Sequence, residues 1–208
     1  ALRTFAARSL PMGTRLFCPI EPRWLDDAAA PARLAALAAQ HDLHPGDLVL
    51  ELTGTDQPLS PALVQRLADH GLRVALASFG QGRGELECLA DASPDYLKLA
   101  PHFTVGVAAN VRAQAVVAKM IGLGHALGVP AIATRVTAET DFRMLRELGC
   151  NMAEGDLIGA AGPAPATGGD PALARRLGRG SAIPPRVADL MMTVQPLTVA
   201  DTLTDVVA

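Results

Sequence analysis

No apolar run in this sequence approaches the length needed to cross a bilayer. The first residues, ALRTFAARSLPMG, lack both the charged start and the uninterrupted apolar centre of a secretory signal. No membrane contact is expected, and the setting to expect is cytoplasmic. Cysteine is scarce: Cys18, Cys88 and Cys150 are odd in number, far apart and without the paired spacing of a zinc site or a disulfide framework. Buried, reduced thiols are the expectation. Aromatic residues make up only 3% of the chain, and none are interleaved with a Lys/Arg cluster. With 18 basic against 21 acidic side chains, nothing would track a nucleic-acid backbone, which removes polymeric nucleic acid from the expected partners.

What the chain has in quantity is apolar surface, half of its 208 residues, enough for one substantial core or for one domain and the start of a second. From Arg15 to Ile158 short β-rich runs alternate with longer helical patterns, the signature of βα units around a parallel sheet. Six strands are predicted: RLFCPI at 15–20, LVLELT at 48–53, RVALASF at 73–79, YLKLA at 96–100, AIATRV at 131–136 and MAEGDLI at 152–158. Ser60 is placed to cap a helix that begins at Pro61, carries Val64 and Leu67 inward and stops at Gly71. Thr137 is placed to cap a second, with Glu139 in its first turn and Gly149 at its end. A helix over 107–127 is expected to bury Val111, Val116, Met120, Ile121 and Leu127. His125 on that helix has no partner at ligand spacing and receives no role.

Gly, Pro and small residues then concentrate around a short helical pattern, ALARRL, between 160 and 185. The expected division is a domain over 1–165, a linker over 166–185 and a final stretch, 186–208, that resumes an apolar pattern.

In a parallel αβ barrel the chemistry sits at the C-terminal ends of the strands. Three segments line up there: LELTG, then ALASFGQGRGELECLADASPDYLKLAP, then IATRVTAETDFRMLRELGCNMAEGDLIG. In order and spacing they resemble the EAL family of cyclic-di-GMP phosphodiesterases, named for a Glu-Ala-Leu motif. The resemblance covers roughly residues 1–165 and implies an α/β fold, a TIM-like (β/α) barrel of the EAL type. It also implies hydrolysis of one phosphodiester of cyclic-di-GMP with two Mg²⁺ or Mn²⁺ ions. Hard cations need several oxygen ligands to activate water and offset phosphate charge.

Set against that pattern, most of the acids are missing. Glu51 matches the first glutamate of the family's Glu-(Ile/Leu)-Thr-Glu motif, but the second position is Gly54. Ala77 and Ser78 stand where the family has two aspartates before Phe-Gly. Lys98 matches the family's lysine, while Ala100 replaces the aspartate two residues on. The family's Ala-Glu-Gly-Val-Glu strand reads Ala133, Thr134, Arg135, Val136, Thr137. Glu154 stands in place of a glutamine, and Pro19 where an asparagine ligand belongs. Asp56, Glu85 and Glu87 are nearby acids, but nothing in their spacing recommends them as substitutes.

The expectation is therefore a degenerate member: no catalytic residue, no metal site and no cofactor, with Glu51, Lys98, Arg135 and Glu154 as candidate ligand-contacting positions. Arg135 would repel cations while suiting a phosphate or a carboxylate. The expected role is non-catalytic signalling through a protein partner or adjacent domains, with a metal-independent cyclic-di-GMP receptor as the alternative. The family's tendency to dimerise adds a homodimer to the expected partners. No counterpart of the Glu-Ala-Leu strand or of the strand before it is found, and six strands cannot close an eight-stranded barrel, so either the first strands are missing from a fragment, the favoured expectation, or another chain covers the remaining edges. The tail RVADLMMTVQPLTVADTLTDVVA resembles the opening of a cystathionine-β-synthase-type (CBS) nucleotide-sensing module.

Overall fold

The computed structural model describes residues 14–54, 58–159 and 191–193, the last three for the backbone alone. Seven strands form one sheet: β1 (Arg15–Pro19), β2 (Leu48–Leu52), β3 (Arg73–Phe79), β4 (Tyr96–Leu99), β5 (Ala131–Ala133), β6 (Met152–Ala153) and β7 (Met191–Thr193). Their order is β6-β5-β4-β3-β2-β1-β7, and every neighbouring pair is parallel. Parallel neighbours need crossover connections, and helices supply them. These are α1 (Ala30–Gln40), α2 (Pro61–Asp69), α3 (Glu85–Asp91), α4 (Pro101–Thr104), α5 (Val111–Leu127) and α6 (Glu139–Glu147).

The sheet is buried on both faces, which explains why its strands read as continuous apolar runs. One face packs against the helices through a large core that includes Leu16, Leu50, Leu76, Leu97, Val117, Ile121 and Leu145. The other face carries a second, smaller cluster: Phe17, Val49, Ala75, Tyr96 and Ile132, with Met152 packed against it. These side chains come from successive strands and pack as one buried cluster, of the kind that fills a barrel interior. Below them the Arg15 guanidinium bonds the Tyr96 hydroxyl.

The first four predicted strands stand within a residue of their expected ends. The last two are shorter than expected. β5 stops at Ala133 because Arg135 turns into the left-handed region at φ 52°, and β6 stops at Ala153 ahead of Gly155 at φ 143°. β7 adds a strand that the hydropathy pattern did not predict, pairing Arg15 with Met191 and Phe17 with Thr193 along the open edge of β1. The 166–185 linker lies outside the described residues, as does the 186–208 stretch apart from β7.

Several helix expectations are corrected. Ser60 is the N-terminal flanking residue of α2 but makes no side-chain cap, and α6 is preceded by Ala138 rather than capped by Thr137. Residues 107–127 are not one helix: a 3₁₀ turn at Val107–Ala109 precedes α5, and Asn110 caps it by accepting from the Ala113 amide. The buried stripe of α5 is Val117, Ile121 and Gly124. Val111, Val116 and Leu127 are exposed instead. The helix is apolar nearly all round, so spacing alone did not say which face the sheet would take.

Candidate functional site

Because side chains alternate along a strand, the residues two positions beyond those of the Phe17 cluster face the same interior, nearer the C-terminal strand ends. Those residues are Pro19, Glu51, Ala77, Lys98, Thr134 and Glu154. Three of them meet. The Lys98 ammonium lies 2.5 Å from Glu51 Oε1 and 2.9 Å from Glu154 Oε2, and 5.6 Å from the centre of the Phe17 ring beneath it. Lys98 is 3% and Glu51 7% exposed, and Glu154 is partly buried, so one ammonium is shared by two carboxylates in a largely buried triad. Burial pushes the Glu51 carboxyl above its ordinary range, Lys98 pulls it back down, and Glu154 adds to the rise.

The neighbouring positions carry no further acid. At the end of β3 the register against β4 shifts between Leu76 and Phe79, a bulge that contains Ala77 and Ser78. Ser78 sits at φ 55°. The Thr134 hydroxyl donates to the Leu99 carbonyl at 2.7 Å, and the Thr104 hydroxyl donates to the Thr134 carbonyl at 2.6 Å, so both are spent on binding β4, β5 and α4 together. Among the described residues no group of three or more His, Cys, Asp or Glu side chains comes together, and no buried side-chain oxygen or nitrogen lacks a partner.

The structure thus brings together three of the four predicted residues, Glu51, Lys98 and Glu154. Arg135 stands apart: it is exposed just past β5, and no hydrogen bond or ion pair joins it to the described residues. Asp56 lies outside the described residues, and Glu85 faces a different task. Its Oε2 accepts from the Gly80 amide at 2.7 Å and its Oε1 from the Gly82 amide at 2.9 Å. Burial raises the Glu85 carboxyl above its usual range while those two amides hold the rise in check.

One polar anchor had no counterpart in the sequence reading. Asp141, on the inner side of α6, accepts from the Gly106 and Ala108 amides at 2.8 and 3.0 Å and so ties α6 to the turn before α5. An Asp in the first turn of a helix reads as a favourable partner for the dipole, and only the fold shows that it reaches across to another loop. The three cysteines are free, with Cys88 and Cys150 buried as expected and Cys18 partly so. Burial pushes the Cys18 thiol up to about 12 and those of Cys88 and Cys150 up to about 11. Among the described residues no helix is long and apolar enough to cross a membrane.

A parallel sheet with helical crossovers, a filled interior layer and charged side chains gathered at the C-terminal strand ends defines a TIM-like α/β barrel domain. The EAL domain family model matches residues 1–161, and the chain belongs to that family. It is 30% identical over 166 residues to an uncharacterized signaling protein of Caulobacter vibrioides, covering 76% of this chain and 20% of that one. It is 27% identical over 161 residues to a cyclic di-GMP phosphodiesterase of Pseudomonas aeruginosa, covering 76% of this chain and 27% of that one. The chain therefore spans about a fifth to a quarter of the length of these relatives. The crystal structure of the EAL domain of Mycobacterium smegmatis DcpA shares the fold with a TM-score of 0.70 at 24% identity, over 76% of this chain and 74% of that one.

Proposed function

We propose that this domain is a non-catalytic member of the EAL family that serves a bacterial cyclic-di-GMP pathway by contacting a protein partner or controlling adjacent domains. The observation that carries this reading is the occupation of Glu51. It is the one carboxylate at a position matching the family's metal ligands, and it is buried against the Lys98 ammonium at 2.5 Å. A pair of divalent ions would bring about four positive charges to the mouth, and several oxygen donors are needed to hold them. Ala77, Ser78, Ala100 and Gly54 supply no acid, and the Thr134 hydroxyl is bonded to the Leu99 carbonyl. Glu154 adds one carboxylate, but it too is paired with Lys98. The residues present do not fit a two-metal cluster, so no hydrolytic step is assigned to them.

Incubation of the purified chain with cyclic-di-GMP and Mg²⁺ or Mn²⁺ is expected to release no linear pGpG. Metal-dependent product that disappears in Glu51→Gln would overturn the reading.

A second reading, a metal-independent receptor for cyclic-di-GMP, has one observation in its favour. Arg135 is an exposed guanidinium without a described partner, beside the same strand ends. Titration calorimetry without metal separates the two: heat lost on Arg135→Ala supports the receptor, and the absence of both heat and thermal shift leaves the protein-contact reading.

A further inference from the structure

We infer that Glu85 is a positioning residue that locks the loop after β3, Gly80–Gly84, down onto Gly54, and that the short side chain at 54 and the carboxylate at 85 are two halves of one device. This goes beyond the proposed signalling role and holds whether or not the mouth takes a nucleotide.

The loop is gripped from both sides. On one side its backbone is bracketed by the segment after β2: the Arg83 amide donates to the Gly54 carbonyl at 3.0 Å, and the Leu59 amide donates to the Arg83 carbonyl at 2.9 Å. On the other, both oxygens of Glu85 are used on loop amides, those of Gly80 and Gly82. Charge-assisted bonds of this kind are about twice as strong as neutral ones. Glu85 is 5% exposed, so water competes poorly for them.

Close approach is what requires glycine here. A Cβ on Gly54 would collide with the Arg83 carbonyl and come within 2.9 Å of the Arg83 nitrogen. A Cβ on Gly84, itself at φ 75°, would lie 2.6 Å from the Leu59 carbonyl oxygen. Any side chain at 54 therefore needs the space that the loop backbone fills. Within the locked loop the Arg83 side chain is exposed, and Leu86, just past it in α3, is exposed as well.

The test is residue-resolved amide exchange on the full chain, with the Leu97 amide, bonded to the Pro130 carbonyl within the sheet, as the reporter of global opening. In Glu85→Ala the Gly80 and Gly82 amides are expected to exchange at least about tenfold faster while Leu97 stays within about twofold of the parent. Glu85→Gln retains one acceptor oxygen and so releases only one of the two amides; it also keeps the side-chain volume, which carries the test if the alanine variant does not fold. Gly54→Ala attacks the device from the other side and is expected to release both amides with Glu85 intact. Unchanged Gly80 and Gly82 exchange in the Glu85 variants would overturn the inference. So would acceleration of Leu97 by the same factor as the loop, since Glu85 would then be an ordinary contributor to global stability.

Discussion

Replacing Lys98 by methionine removes the one cation of the triad while keeping a flexible stem of similar volume, so the change tests charge rather than packing. What remains is Glu51, 7% exposed, and Glu154, with no ammonium between them. Removing one partner of a buried ion pair typically costs about 3–5 kcal/mol, because the orphaned charge stays buried. The cheapest relief is for Glu51 to take a proton, and each pH unit separating its pKa from the solution costs about 1.4 kcal/mol. Burial already raises that pKa, which makes relief easier as the solution becomes acidic. The direction follows from linkage: a carboxyl with a folded-state pKa above its unfolded value favours folding below the unfolded value and loses that contribution as pH rises through the folded one. Lys98→Met is therefore expected to lose about 3–5 kcal/mol at pH 7, and less near pH 5. With a urea slope of about 2 kcal/mol per molar, the midpoint falls by roughly 2 M. Lys98→Met/Glu51→Gln, which leaves no ionised group at 51, should recover a substantial part. Urea titrations of the four species of this cycle, at both pH values, measure the coupling directly. A loss below about 1 kcal/mol at pH 7, or one indifferent to pH, would refute a buried and mutually dependent triad.

Further expectations follow from the same contacts. Glu51→Gln alone leaves Lys98 paired with Glu154, so its stability curve should lack the parent's decline as pH rises through the Glu51 pKa; parallel curves from pH 4 to 8 would contradict the raised carboxyl. Asp141→Ala strips two loop amides of their acceptor and should cost roughly 2–4 kcal/mol in urea unfolding, with faster exchange at Gly106 and Ala108. Arg135→Gly relieves a left-handed φ of 52° and should stabilise by about 0.5–1 kcal/mol, an effect absent in Arg135→Ala. Thiol reagent at pH 8 should leave Cys88 and Cys150 unmodified in the native protein and react on unfolding, since both are buried and both thiols lie near 11.

Strands were legible in the sequence because a sheet buried on both faces writes itself as unbroken β-branched and leucine-rich runs, as in RVALASF and LVLEL. The convergence of Glu51 with Lys98 was legible only in outline. The two residues sit on strands separated in the sheet by β3, and their meeting depends on both facing the interior, which the period of two permits. The closure of the triad by Glu154 required the register of β6, which two residues of strand could not announce. The partition of α5 into exposed and buried faces was hidden by uniform apolarity. Asp141 and Glu85 were hidden for another reason: each bonds backbone amides, and a backbone amide has no sequence signature.

Donors and acceptors at the mouth are already matched to one another, which favours protein contact over nucleotide binding. Glu51, Lys98, Glu154 and Thr134 each have an internal partner, and the Glu85 carboxylate is committed to the loop beside them. A dinucleotide entering this mouth would gain a phosphate contact with Lys98 only by displacing a carboxylate from it. Displacement would leave that carboxylate facing both the phosphate and its fellow. Such an exchange is unfavourable twice over, through lost pairing and through like-charge repulsion, and Arg135 at the exposed edge offsets little of it in high dielectric. Glu154→Gln removes one of the two carboxylates while leaving Lys98 bonded to Glu51. If the mouth is a latent nucleotide site, that one change should raise cyclic-di-GMP affinity by an order of magnitude or more, about 1.4 kcal/mol. Calorimetry showing no binding in either the parent or Glu154→Gln would leave the outer surface of the domain as the place where it acts.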